Sequence, residues 1–302
     1  MRIGFIALLS LLLIGCGQQA SDSSQSAAEK QQTFEWKLVT TWPKNYPGLG
    51  TAPENFARRV EAMSAGRLSI KVFGAGQLVP AFEVFDAVSQ GTAEMGHGAA
   101  YYWTGKAKAT GFFTSVPFGL NAQEMNGWLH YGGGLELWRE LYEPFNLVPF
   151  AGGSTGVQMA GWFNREINSM QDIKGLKMRI PGLGGDVITR AGGVSVTMPG
   201  GELYTSMQTG VIDATEWVGP YNDLAFGFHQ VAKYYYYPGW HEPGPILELI
   251  VNKQALASLP ADLQAIVESA ARAVNQDMLD EYTARNNTCL LYTSDAADDS
   301  LR

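Results

Sequence analysis

The chain has 302 residues, a net charge of -8 and a pI near 5.1, and its lysines and arginines form no cluster, which excludes a nucleic-acid-binding stripe. Its two cysteines, Cys16 and Cys289, exclude a disulfide framework. Packing must therefore hold the fold, with 8 Trp, 13 Tyr and 14 Phe available to fill a core and line a cleft, and the partners left open are small molecules and other proteins.

Met1-Arg2 and the apolar run over 3–14 read as a secretory signal over 1–15, too short for the roughly 20 residues of a spanning helix. Leu13-Ile14-Gly15-Cys16 resembles a bacterial lipobox, so Cys16 is the expected lipidation site. The polar Ser/Gln/Ala-rich stretch over 16–33 reads as a flexible, lipid-anchored linker. Export to the periplasm, on a membrane anchor, is the expected location.

The folded body is expected over 34–287, long enough for two lobes. A strand over 35–42 precedes a helix opened by a capping box, with Thr51 as N-cap, Pro53 just inside and Glu54 at N3, and with Phe56, Val60 and Met63 facing inward. A strand over 68–73, a helix over 80–90 with Phe82, Phe85 and Val88 inward, and a strand over 93–102 complete a βαβαβ unit. In an open α/β sheet ligands lie beyond strand C-termini, which makes 42–46 and Tyr101-Tyr102-Trp103 cleft candidates.

Lobe I is expected over about 34–146 plus returning segments, and lobe II over about 147–230. Lobe II has strands predicted over 147–150, 157–163, 177–180, 194–198 and 212–217, and helices over 169–174, 185–191 and 201–209. The chain then crosses back, with strands over 232–237 and 246–252 and a closing helix over 260–284. Two α/β lobes exchanging several crossovers describe a hinged clamshell. From Thr288 the periodicity and composition change, and 288–302 resembles translated sequencing-adapter read-through, a non-native tail.

Several motifs compete for function. Gly152-Gly153-Ser154-Thr155-Gly156 matches the nucleophile elbow of a serine hydrolase, with His229 or His241 as partner, but the alternation after it reads as a second strand where the elbow needs a helix. Gly182-Leu183-Gly184-Gly185 lacks the third glycine of a dinucleotide fingerprint and suits an anion at a helix start instead. His97, His130, His229 and His241 have no zinc spacing. Arg179, at a strand end, can grip a carboxylate bidentately. Glu216 and Glu242 end segments that converge on one cleft, where they would either share a hard cation or act as catalytic acid and base.

Five runs carry a resemblance: TTWPKNYPG (40–48), GHGAAYYWTGK (96–106), KMRIPGLGG (177–185), DATEWVGPYNDLAFGF (213–228) and GWHEP (239–243). Through them, 35–287 resembles the extracytoplasmic solute receptors of tripartite ATP-independent periplasmic (TRAP) transporters, in the branch that binds 2-oxo acids such as pyruvate. The resemblance implies a periplasmic-binding-protein-like clamshell that performs no chemistry and delivers a small carboxylate to membrane permease subunits. It implies Arg179 as carboxylate clamp and Gln158 as contact to both ligand and ion. Glu216, the Trp217 carbonyl and Glu242 would complete the shell of a sodium ion, with Tyr101, Tyr102 and Asn222 as walls and donors. A hydroxy acid such as lactate, with calcium, is the alternative cargo. Members continue past residue 287 with helices that in some mediate a swapped dimer, so a homodimer is implied where that natural C-terminus is present.

Overall fold

The computed structural model describes residues 32–299. The predicted signal over 1–15, Cys16 and nearly all of the 16–33 tether lie outside them. In chain order the elements are β1 (Phe34–Thr40), α1 (Thr51–Met63), β2 (Leu68–Phe73), α2 (Val84–Ser89), β3 (Met95–Gly98), α3 (Ala122–Tyr131), α4 (Gly134–Tyr142), β4 (Leu147–Ser154), β5 (Gly161–Phe163) and β6 (Lys177–Arg179). They continue with α5 (Gly182–Arg190), β7 (Val194–Val196), α6 (Leu203–Gln208), β8 (Ala214–Thr215), α7 (Pro220–Phe226), β9 (Tyr234–Tyr236), β10 (Ile246–Asn252), α8 (Lys253–Ser258) and α9 (Ala261–Asp299).

Two five-stranded sheets share one plan. The first has the order β2-β1-β3-β10-β4 and the second β7-β6-β8-β5-β9. Each contains a βαβαβ unit, β1-α1-β2-α2-β3 or β6-α5-β7-α6-β8, whose three strands are parallel. In each sheet a single strand, β10 or β5, runs antiparallel between its neighbours. The strand order reverses beside β1 and beside β6, so both sheets have a crevice beyond the carboxyl ends of the strands there. Thr40 and Gly98 end β1 and β3 at one crevice, and Arg179 and Thr215 end β6 and β8 at the other.

The local chemistry follows the sequence closely in β2, where Leu68, Ile70 and Val72 are buried and Ser69 and Lys71 exposed. It departs at α1. Gly50 is the N-cap, and the carbonyls of Tyr46 and Gly48 accept from the amides of Thr51 and Ala52, so the preceding turn caps the helix and the Thr51–Glu54 box is not used. Phe56 and Val60 are buried there, whereas Met63 is half exposed at the helix end. The strand predicted over 93–102 stops at Gly98, because the Tyr101 amide turns away to Thr114 Oγ1 at 3.1 Å and Ala100–Trp103 coil into a 3₁₀ turn.

Sheet membership corrects the expected lobe boundary near 147. β4 pairs with β10 in the first sheet, and β9, expected among the returning strands, pairs with β5 in the second. The second sheet therefore spans 161–236. Two connections join the sheets, 155–160 and 237–245, and they are bonded to each other: Gln158 N donates to Glu242 O at 3.1 Å and Gly239 N to Gln158 O at 2.8 Å.

The closing helix α9 lays Leu263, Val267, Ala270, Val274, Met278 and Tyr282 into the core, a stripe at helical spacing. It extends past the predicted end at 284 to Asp299, since no glycine or proline interrupts the chain from Ala261 onward. Among the described residues no helix is long and apolar enough to cross a membrane.

Candidate functional site

The strand ends of the second sheet deliver the charged groups. Arg179 closes β6 and Glu216 follows β8, the two strands being adjacent and parallel in register, so their side chains meet although 37 residues separate them. Arg179 Nη1 donates to a carboxylate oxygen of Glu216 and, at 3.2 Å, to its carbonyl; Nε donates to Met198 O at 3.2 Å. Nη2 reaches across to the Tyr102 hydroxyl at 3.3 Å. The guanidinium stands 5.2 Å from the centre of the Trp217 ring. Burial works against the arginine's charge, but Glu216 together with Tyr102 and Tyr101 more than offsets it and the group stays firmly protonated.

The connections between sheets bring the rest. Gln158 lies on 155–160 and Glu242 on 237–245. Gln158 Nε2 donates to Glu242 Oε2 at 2.8 Å and to Thr155 Oγ1 at 3.2 Å. With its nitrogen so engaged, the amide leaves Oε1 buried without a partner. Burial, and then the charge of Glu216, push the Glu242 pKa well above the usual carboxylate range, while Arg179 pulls it down. The Tyr101 phenol is likewise pushed up by burial and by Glu242 beside it.

Glu216, His241 and Glu242 offer ligand atoms within 4.8 Å of one another, all buried. The two carboxylates, with Gln158 bonded to Glu242 and its amide oxygen left without a partner, make an oxygen-rich surrounding of the kind a hard cation takes. His241, read in the sequence only as a possible partner of Ser154, stands with the carboxylates instead: its Nε2 lies 3.2 Å from Glu216 Oε2 and its Nδ1 has no partner. Its position immediately before Glu242 was the only hint in the chain.

Tyr102, Gln158 and Trp217 share a small cavity with Trp42 of the first sheet, and Tyr101 borders it. Asn222 is placed differently from the expected ligand donor. Its carbonyl accepts from Tyr46 Oη at 2.5 Å, its Nδ2 donates to Pro47 O at 2.8 Å and its Oδ1 accepts from Tyr282 Oη. These three contacts tie α7 to the loop after β1 and to α9. Ser154 Oγ donates to Pro245 O at 2.9 Å, and the segment after it is a connection and a strand, so no elbow forms; His241 is turned to Glu216 instead. The helix after the glycine turn starts at Gly182, three residues earlier than expected, which leaves Gly184 and Gly185 inside α5.

Residues 38–299 match the family model of bacterial extracellular solute-binding proteins, family 7. The chain is 47% identical over 287 residues, 94% of its length and 77% of the relative's, to a monocarboxylate 2-oxoacid-binding periplasmic protein of Nostoc sp.. A TRAP periplasmic solute-binding protein of Colwellia psychrerythraea, solved with calcium and pyruvate, is 46% identical with a TM-score of 0.85, covering 87% of this chain and 80% of that one. Another, of Pseudoalteromonas atlantica, solved with sodium and pyruvate, is 43% identical with a TM-score of 0.84, covering 89% of this chain and 88% of that one. The two-lobe architecture and the paired sheets agree with these structures, and the chain belongs to the family 7 bacterial extracellular solute-binding proteins, the solute receptors of TRAP transporters.

Proposed function

We infer that the chain captures a small 2-oxo monocarboxylate such as pyruvate, together with a hard cation, and presents it to the membrane subunits of a TRAP transporter. The observation that carries this reading is the juxtaposition of a buried, permanently charged Arg179 with buried Glu216, Glu242 and the partnerless Gln158 Oε1. One positive side chain cannot compensate two charged carboxylates in a desolvated place, so Glu242 is driven toward its protonated form, and a cation would let both carboxylates ionise. Arg179 Nη2 and the Tyr102 hydroxyl supply donors for a carboxylate at the cavity wall, each charge-assisted bond contributing about 1.5–3 kcal/mol.

A bound cation would supply fixed positive charge to the carboxylates and to the oxygens of the ligand. The chain's own residues orient it: Thr155 holds the Gln158 nitrogen, Gln158 holds Glu242, and Trp217 covers the guanidinium. Enclosure by Trp42, Tyr102 and Trp217 excludes water, which strengthens each of these electrostatic contacts. Nothing in this constellation sets up a nucleophile with a base, and the reading is one of binding and transport without chemistry. The relatives solved with calcium and with sodium beside pyruvate support either as the ion. Periplasmic location follows from the family, and lipidation at Cys16 is proposed as its anchor.

Calorimetric titration of pyruvate into the protein after chelation, then with sodium and with calcium, tests the reading. Tight binding that requires one of the two ions is the expected result. Absence of heat from the folded protein with pyruvate, other 2-oxo acids and lactate, under both ions, would overturn it.

A further inference from the structure

Trp42 and His97 are both buried and belong to no charged group of the site. Trp42, just beyond β1, lines the small cavity together with apolar Leu49, Val218 and Leu247 and with the polar groups of Tyr102, Thr155 and Gln158. A 2-oxo acid offers the same two kinds of surface, its oxygens and its alkyl tail.

The indole is held by one bond. Trp42 Nε1 donates to His97 Nδ1 at 2.8 Å, and His97 Nε2 lies 3.0 Å from the carbonyl of Gly152 in β4. An indole nitrogen only donates and a carbonyl only accepts, so the two contacts fix a neutral imidazole with its proton on Nε2. Burial lowers the pKa of His97 to about 4, so that form persists at ordinary pH. The indole ring then stands edge-on to Trp217, with centroids 6.0 Å apart and planes at 75°. Its backbone is pinned too, Trp42 N donating to Thr40 Oγ1 at 2.8 Å and Trp42 O accepting from Ala75 N at 2.8 Å.

We propose that His97 is a positioning residue that locks Trp42 as a wall of the ligand cavity, and that the locked indole excludes 2-oxo acids with longer alkyl tails. The proposal rests on the receptor reading above and adds to it a selectivity for short tails. A packed interior does not deform by a methylene without cost. Freed from its bond, the indole has room to turn only if the ligand gains by it, which a longer tail does and pyruvate does not.

The test is to measure dissociation constants for pyruvate, 2-oxobutanoate and 4-methyl-2-oxopentanoate at fixed sodium, with the full chain and its His97→Leu, His97→Gln and Trp42→Phe variants. The preference for pyruvate should fall about tenfold or more in His97→Leu and Trp42→Phe, in line with roughly 10–200-fold per methylene in apolar pockets. It should return in His97→Gln, whose amide can accept from the indole and donate to Gly152. A general loss of structure would weaken all three ligands together, so an unchanged ratio in folded His97→Leu and Trp42→Phe overturns the proposal. If His97→Leu does not fold, Trp42→Phe decides alone. A wild-type protein that binds none of the three overturns the receptor reading itself, whereas wild-type binding with an unaltered ratio in the variants overturns only the selectivity assigned to Trp42 and His97.

Discussion

Gln158 and Glu242 meet across 84 residues of chain, amide Nε2 to carboxylate Oε2 at 2.8 Å, and this contact is what turns the Gln158 oxygen into the cleft without a partner. Replacing Gln158 with Leu removes that oxygen at nearly constant volume. Pyruvate affinity should fall about tenfold or more, the worth of one charge-assisted contact, and its dependence on sodium concentration should flatten. Calorimetry across a sodium series checks this; a sodium dependence as steep as the wild type's would remove Gln158 from the cation shell.

Arg179 is paired with Glu216, and both side chains are fully buried. Arg179→Ala leaves that carboxylate uncompensated, at a cost of about 3–5 kcal/mol. The single variant should lose both binding and stability, whereas Arg179→Ala combined with Glu216→Gln should regain much of the stability and none of the binding. Urea denaturation beside calorimetry separates the two effects; a single variant as stable as wild type would show that the pair is not coupled.

Glu248, in β10, receives Trp103 Nε1 on one oxygen and the Tyr142 hydroxyl on the other, and burial pushes its pKa from 4.5 to about 7. A raised pKa means that the folded protein keeps a proton the unfolded chain releases. Its stabilising contribution is therefore complete below about pH 4.5 and lost as pH rises through about 7. Asp223, also pushed up to about 7 by burial, acts in the same direction, whereas His97, lowered to about 4 by burial, opposes both between about pH 4 and 6.5. Comparison with Glu248→Gln isolates the one group: the variant should gain on wild type by about 2–3 kcal/mol between pH 5 and pH 8. Denaturation midpoints at the two pH values decide it, a constant gap showing that Glu248 ionises normally.

Tyr282 is fully buried in α9 and donates to Asn222 Oδ1. Tyr282→Phe deletes the donor alone and should cost about 1–2 kcal/mol, measured as a lower urea midpoint. Asn222→Ala removes the Tyr282 and Pro47 contacts together and should cost more. Equal stability of both variants and wild type would mean that this tie does not hold α7 in place.

The strand ends were legible because alternation followed by glycine or proline marks them, and Arg179 and Glu216 stand at such ends. Glu242 was read beside Glu216 as a carboxylate at the end of a segment, whereas Gln158 came from the resemblance alone, since no local pattern distinguishes it. The role of Asn222 was not legible: its partners Pro47 and Tyr282 lie 175 and 60 residues away, and the residues around 222 carry no trace of them. Nor could 147–154 announce its sheet, since an apolar strand reads alike beside β10 or beside β5. The bond from Trp42 to His97 is illegible for the same reason, being a meeting of two strand ends that only the register of β1 on β3 creates.

The two connections between the sheets bond to each other through main-chain groups of Gln158, Gly239 and Glu242. Side chains on such a strip stand at the pivot of any opening, where a rotation of one sheet against the other produces almost no displacement. An opening of one sheet from the other would leave the Gln158–Glu242 separation nearly unchanged, whereas Arg179 and Tyr102, carried by opposite sheets, would part. The cleft thus keeps a constant oxygen corner at its axle, and what opens and shuts is the access of the arginine's far nitrogen to whatever rests there.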